Sequence, residues 1–220
     1  MSSVVVKEYV RKIEGSENMV LEENFYFHLI SKDNERLSRN YLSISDFNNN
    51  MAIVTIPNRK KKCLESDDEV RVLKGVIDSS GKIIVPCVWD NAHISSDGST
   101  IRICKDGLWG FADSLGKIIC QPKFLFIEAF KGGLARVSMP EGKWGAINER
   151  GKFVISPKYL YLSSLENPKI VAKWETLYGI IDKKGNIIEP FKYNMKKGIQ
   201  GDVTLSSRYD GKSIRVYLEN

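Results

Sequence analysis

The chain is poor in the residues that do chemistry. Its 220 residues include two histidines, His28 and His93, and four cysteines, Cys63, Cys87, Cys104 and Cys120. None of the cysteines forms a Cys-x-x-Cys pair. A zinc site from Cys87, His93 and Cys104 would follow no known ligand spacing, and a disulfide framework is not expected in a chain of this size without a secretory signal. The chain lacks Gly-x-Gly-x-x-Gly, Walker A and Gly-x-Ser-x-Gly stretches, the usual signatures of dinucleotide, nucleoside-triphosphate and acyl-transfer sites. Carboxylates fall in turns and loops rather than as the isolated pair that acid–base hydrolysis needs. The expectation is therefore no enzyme, no catalytic residue, no cofactor, no metal and no small-molecule substrate. Apolar runs are short as well. None approaches the roughly 20 residues of a membrane-spanning helix, and three N-terminal valines followed by charges do not make a leader. A cytoplasmic protein without membrane contact is expected.

What is present is a folded composition, 42% hydrophobic and 27% charged. The net charge of +6 is unevenly spread. Residues 1–70 hold 10 Lys/Arg against 12 Asp/Glu, and residues 71–220 hold 23 against 15. A basic C-terminal two-thirds suits an acidic partner.

The strongest signal is internal repetition. LKGVIDSSGKIIVP (73–86), LWGFADSLGKIICQP (108–122), KWGAINERGKFVISP (143–157) and LYGIIDKKGNIIEP (177–190) align along their length. One glycine falls at 75, 110, 145 and 179, and a second at 81, 116, 151 and 185, so both keep steps of 35, 35 and 34. Each unit carries Asp or Asn three residues before the second glycine: Asp78, Asp113, Asn148 and Asp182. That pattern suits a type I turn closed by a left-handed residue, with the side chain accepting the turn's own amides. One carboxylate per turn is too few for calcium. Flanking runs such as Ile83–Val85 and Phe153–Ile155 are short and β-branched, which predicts strands, and the following proline is expected to end each strand. No segment holds a helical apolar period.

The pattern continues in weaker form at both ends. Asn34 stands where a turn glycine is expected, and 203–218 reads as a closing hairpin. The reading is a single domain, 1–220, of about five units. It has degenerate units over 1–72, clear repeats over 73–190 and a C-terminal capping hairpin over 191–220. The fold class is all-β, a solenoid-like array of tandem β-hairpin repeats of about 35 residues, or alternatively a closed propeller- or barrel-like ring.

Trp109-Gly110, Trp144-Gly145 and Tyr178-Gly179 are read as packing residues, with the glycine admitting a close backbone. Trp-Gly, apolar residues, Asp/Asn-x-x-Gly, an apolar run, Pro, and then Gly133-Leu-Ala-Arg-Val137 together resemble the bacterial WG-repeat (KWG-repeat) family. The likeness is close over 73–190 and weak elsewhere. It implies an all-β array serving as an interaction module and brings no catalytic residue with it.

Function is then expected where the period fails. The step from Asn34 to Gly81 is 47, and the surplus maps to 57–70, where Arg59, Lys60, Lys61 and Lys62 precede an acidic run. Trp89 and Trp174 lie off the Trp-Gly register. Lys183, Lys184, Lys196 and Lys197 lie in the basic C-terminal portion. These ten residues are the candidate partner-binding set. The expected role is a non-enzymatic protein–protein interaction module, such as an accessory subunit of a bacterial complex. The alternative is nucleic-acid binding through the basic C-terminal portion, where Phe191, Tyr193 and Tyr209 could stack with bases.

Overall fold

The computed structural model describes residues 4–12, 22–31, 33–58, 72–193, 204–209 and 214–219. Among the described residues every regular element is a strand. Strands β1 (Val4–Lys12) and β2 (Glu22–Ile30) form an antiparallel pair. Four four-stranded sheets follow. The first holds β3 (Ser43–Ile44), β4 (Met51–Pro57), β5 (Val72–Asp78) and β6 (Ile83–Trp89). The second holds β7 (Asn91–Ile94), β8 (Thr100–Lys105), β9 (Leu108–Asp113) and β10 (Ile118–Phe124). The third holds β11 (Phe126–Ile127), β12 (Leu134–Ser138), β13 (Trp144–Asn148) and β14 (Phe153–Tyr159). The fourth holds β15 (Tyr161–Leu162), β16 (Ile170–Trp174), β17 (Leu177–Ile181) and β18 (Ile187–Tyr193). Strands β19 (Thr204–Tyr209) and β20 (Ile214–Glu219) form a last hairpin. Within each four-stranded sheet the strands neighbour one another in chain order, and no described sheet closes into a barrel. The fold is a tandem β-hairpin repeat array. The chain divides into two compact units, residues 1–107 with 111–118, and residues 108–110 with 119–220.

The turns repeat atom for atom. Asp113 Oδ1 accepts N–H bonds from Leu115 at 3.0 Å and Lys117 at 2.9 Å. Asp78, Asn148 and Asp182 accept from the residues two and four further on in the same way. The series extends one turn toward the N-terminus, where Ser31 Oγ accepts from Asp33 and Glu35 and Asn34 takes φ 61°. The glycine of each turn also meets a neighbouring repeat. At Gly116, with φ 84°, a Cβ would run into the carbonyl oxygen of Ile84. At Gly151 and Gly185 the atoms facing a Cβ include the carbonyl oxygens of Ile119 and Val154, each at 3.5 Å.

The prolines do not end the strands. Pro86, Pro157 and Pro190 lie inside β6, β14 and β18. Lys74 pairs with Trp89 but Val76 pairs with Val85, so Gly75 alone faces three residues. The same bulge recurs where Trp144 and Ala146 pair with Tyr159 and Ile155, and where Tyr178 and Ile180 pair with Tyr193 and Glu189. A bulged residue owes no donor to the ladder, so proline is tolerated there. The facing glycine is required because the bulge presses on it. A Cβ on Gly145 would lie 2.6 Å from the Ile155 carbonyl oxygen and 2.9 Å from the Pro157 backbone.

Each core forms between successive sheets, because one sheet cannot cover its own apolar face. In the N-terminal unit Val76 and Val85 pack with Ala92, Ile101 and Ile103. In the C-terminal unit Ala146 and Ile155 pack with Leu162, Ile170 and Ile181. A fully buried isoleucine contributes roughly 1.5–3 kcal/mol.

Candidate interaction surface

One residue carries the chain from each sheet into the next. Asp90 links β6 to β7, Leu125 links β10 to β11, and Leu160 links β14 to β15. The backbone job is identical: the three N–H groups donate to the carbonyls of Cys104, Ser138 and Lys173 at 2.8–2.9 Å. The two leucine side chains face solvent, Leu125 being 51% and Leu160 42% exposed. Two residues before these leucines stand Lys123 and Lys158, both exposed. Lys158 lies in the bulge opposite Gly145, where its ammonium sits 4.9 Å over the Trp174 ring and 5.4 Å over the Tyr159 ring. Lys123 stands 5.2 Å over Phe124 and 5.7 Å over Phe153, two rings that meet edge to face at 6.0 Å.

Trp174 is 42% exposed and packs edge to face on Phe191 at 5.7 Å. Phe191 in turn stacks on the buried Tyr159 at 5.8 Å. Trp174 is therefore a surface residue held by its own neighbours. Trp89 is different. It is half-buried against the core of the N-terminal unit and keeps a second aromatic register of its own, 89, 124, 159 and 193. That register is offset from the Trp-Gly positions, which is why Trp89 stands out of step when measured against them. Its indole nitrogen is buried without a hydrogen-bond partner among the described residues. Lys183 and Lys184 sit in the Asp182–Gly185 turn, where the Lys184 amide serves the Asp182 carboxylate. Arg59, Lys60, Lys61, Lys62, Lys196 and Lys197 lie outside the described residues.

Trp144 does the packing work expected of the Trp-Gly pair. It meets Phe126 at 6.0 Å and carries the Arg136 guanidinium 5.2 Å over its ring. Arg136 is bound by both carboxylate oxygens of Glu128 and donates to the Leu162 carbonyl. Glu128 and Arg136, with the Lys131–Glu166 ion pair, line a cleft of about 240 Å³. The cleft is smaller than the usual ligand pocket of roughly 300–1,000 Å³, and its charges neutralise one another. Burial pushes the thiols of Cys87, Cys104 and Cys120 up from their ordinary value, which keeps them protonated and poor nucleophiles. Burial and nearby Arg102 push His93 down. Among the described residues no group of three or more His, Cys, Asp or Glu side chains is placed to hold a metal ion.

A family model described as WG containing repeat matches four consecutive stretches, residues 75–109, 109–144, 144–173 and 178–195. The chain belongs to the WG containing repeat family. The matched stretches are the turn, bulge and corner units described above, so the protein is a repeat module of this family. No curated protein matches the chain. Lys123, Leu125, Lys158 and Leu160 escaped the sequence reading because it looked for function only where the period fails. Their signal was a period that exposed side chains share although burial does not demand it.

Proposed function

We propose that this WG-repeat chain is a non-enzymatic protein–protein interaction module that serves as an accessory subunit of a bacterial complex. The observation that carries this reading is the surface placement of large apolar side chains. Leu125, Phe126, Leu160 and Trp174 are exposed in the C-terminal unit although the adjoining core is well filled. Such residues lose contact with water only when a partner covers them, and repeat arrays present broad faces for this purpose. The reading includes a cytoplasmic setting, supported by the free thiols of Cys87, Cys104 and Cys120. The test is affinity capture with the full chain from its native host, followed by light scattering on the eluted complex. A stoichiometric protein partner is the expected outcome, and its absence at several salt concentrations counts against the reading.

Nucleic-acid binding is the second reading. Lysine beside an exposed tryptophan, as at Lys158 and Trp174, is a combination that also holds single strands. Binding of that kind would weaken steeply between low and moderate salt.

A further inference from the structure

The lysines that precede the corner leucines, 123 and 158, continue in register to Lys192, in steps of 35 and 34. Lys192 stands over Tyr193 at 5.2 Å and pairs with Glu189 at 3.8 Å. Lys123 and Lys158 have no carboxylate within ion-pair distance among the described residues. Each rests on rings by its inner side and leaves its charge open to solvent. Residues 119–193 hold 12 Lys/Arg against 7 Asp/Glu, so the surrounding field is also positive.

The scaffold requires neither lysine nor leucine at these places. The equivalent positions in the N-terminal unit are Val88 and Asp90, with the same corner hydrogen bond. Phe153, under Lys123, and Lys158 are five residues apart on β14. Both cations therefore stand along one strand of the third sheet, with the bulge between Phe153 and Tyr159.

We infer that Lys123, Leu125, Lys158, Leu160 and Trp174 form a docking strip for an extended acidic protein segment whose carboxylate and apolar side chains follow one another at every second residue and so share one face. The carboxylates meet the two open lysines, and the apolar side chains cover the corner leucines and Trp174. This rests on the protein-binding reading and adds the partner's chemistry. The leucines favour a protein over a nucleic acid. An aliphatic side chain offers a base no ring to stack on, whereas it buries readily against another apolar side chain. The faces of Phe124 and Tyr159 are moreover already occupied by lysine.

The test uses the full chain and fluorescence anisotropy at moderate salt. The probes are labelled 12-residue peptides that repeat Glu-Ser-Leu-Ser (Glu/Leu), Glu-Ser-Ser-Ser or Lys-Ser-Leu-Ser, and a 12-nucleotide dT strand. The Glu/Leu peptide is expected to bind at least fivefold more tightly than each of the others. The paired substitutions Lys123→Glu/Lys158→Glu, Lys123→Gln/Lys158→Gln and Leu125→Ser/Leu160→Ser should each weaken it at least fivefold with an unchanged melting temperature. Failure of the Glu/Leu peptide to bind, tighter binding of dT, or a loss under fivefold in the folded variants overturns the strip. A captured partner that the Lys→Glu variant still holds would also sink the strip while leaving the interaction module standing.

Discussion

The corner at Asp90 and the corners at Leu125 and Leu160 have one backbone and two surfaces. Around Asp90 the side chain is used internally: its carboxylate accepts the Asp106 amide at 2.6 Å and pairs with Lys105 at 3.2 Å. At Leu125 and Leu160 the side chain makes no such bond and stands in solvent beside an open lysine. The turn and the bulge, by contrast, are the same wherever they are described. The difference separates what the fold needs from what it leaves free. Backbone geometry constrains the turn residue and the bulge glycine, whereas the corner constrains only an N–H that any residue but proline supplies.

That contrast can be broken in several places. The largest loss is expected from Gly116→Ala, which combines a left-handed residue with a clash against the Ile84 carbonyl. Roughly 2–5 kcal/mol should be lost in urea unfolding. Gly145→Ala meets the Pro157 bulge without the φ penalty, and about 1–3 kcal/mol is expected by the same measurement. Asp113→Ala removes the acceptor of two turn amides and should cost about 1–2 kcal/mol. Asp113→Asn should stay near wild type, because Asn148 does this work in its own turn.

A pH titration sharpens the comparison further. The Ser95 hydroxyl, the Ser99 amide and the Ser99 hydroxyl donate to Asp97 and hold its carboxyl down to about 2. A carboxyl held low when folded adds stability above its unfolded pKa, near 4, and that contribution disappears as pH falls toward 2. An NMR titration should place the Asp97 midpoint near 2, and Ser95→Ala should raise it. The smallest effect is expected at the corner itself. Leu125→Asp should change stability by no more than about 0.5 kcal/mol. A larger loss would mean that the exposed leucine is part of the scaffold.

Much of the fold was legible in the residues. Asp-x-x-Gly and its 35-residue step predicted the hairpins, and Asn34 was placed as a turn residue before its φ was known. These signals are local: a left-handed residue and an acceptor for two nearby amides leave their marks within five positions. The proline was misread for a related reason. Strand-ending is its local habit, and only the pairing of Gly145 against three residues shows that it sits in a bulge. The surface strip was also hidden. Exposure is not written in a residue's type, so nothing in the sequence marks Leu125 and Leu160 as leucines that face water.

The sequence by itself determined the period, the all-β class and the residue at each turn, because short-range backbone geometry demands them. The tertiary structure alone decided where proline could remain within a strand, that Trp89 is half-buried against a core, and which leucines face water. Those outcomes depend on strands and sheets that meet across dozens of residues, and a local pattern carries no record of what lies opposite it.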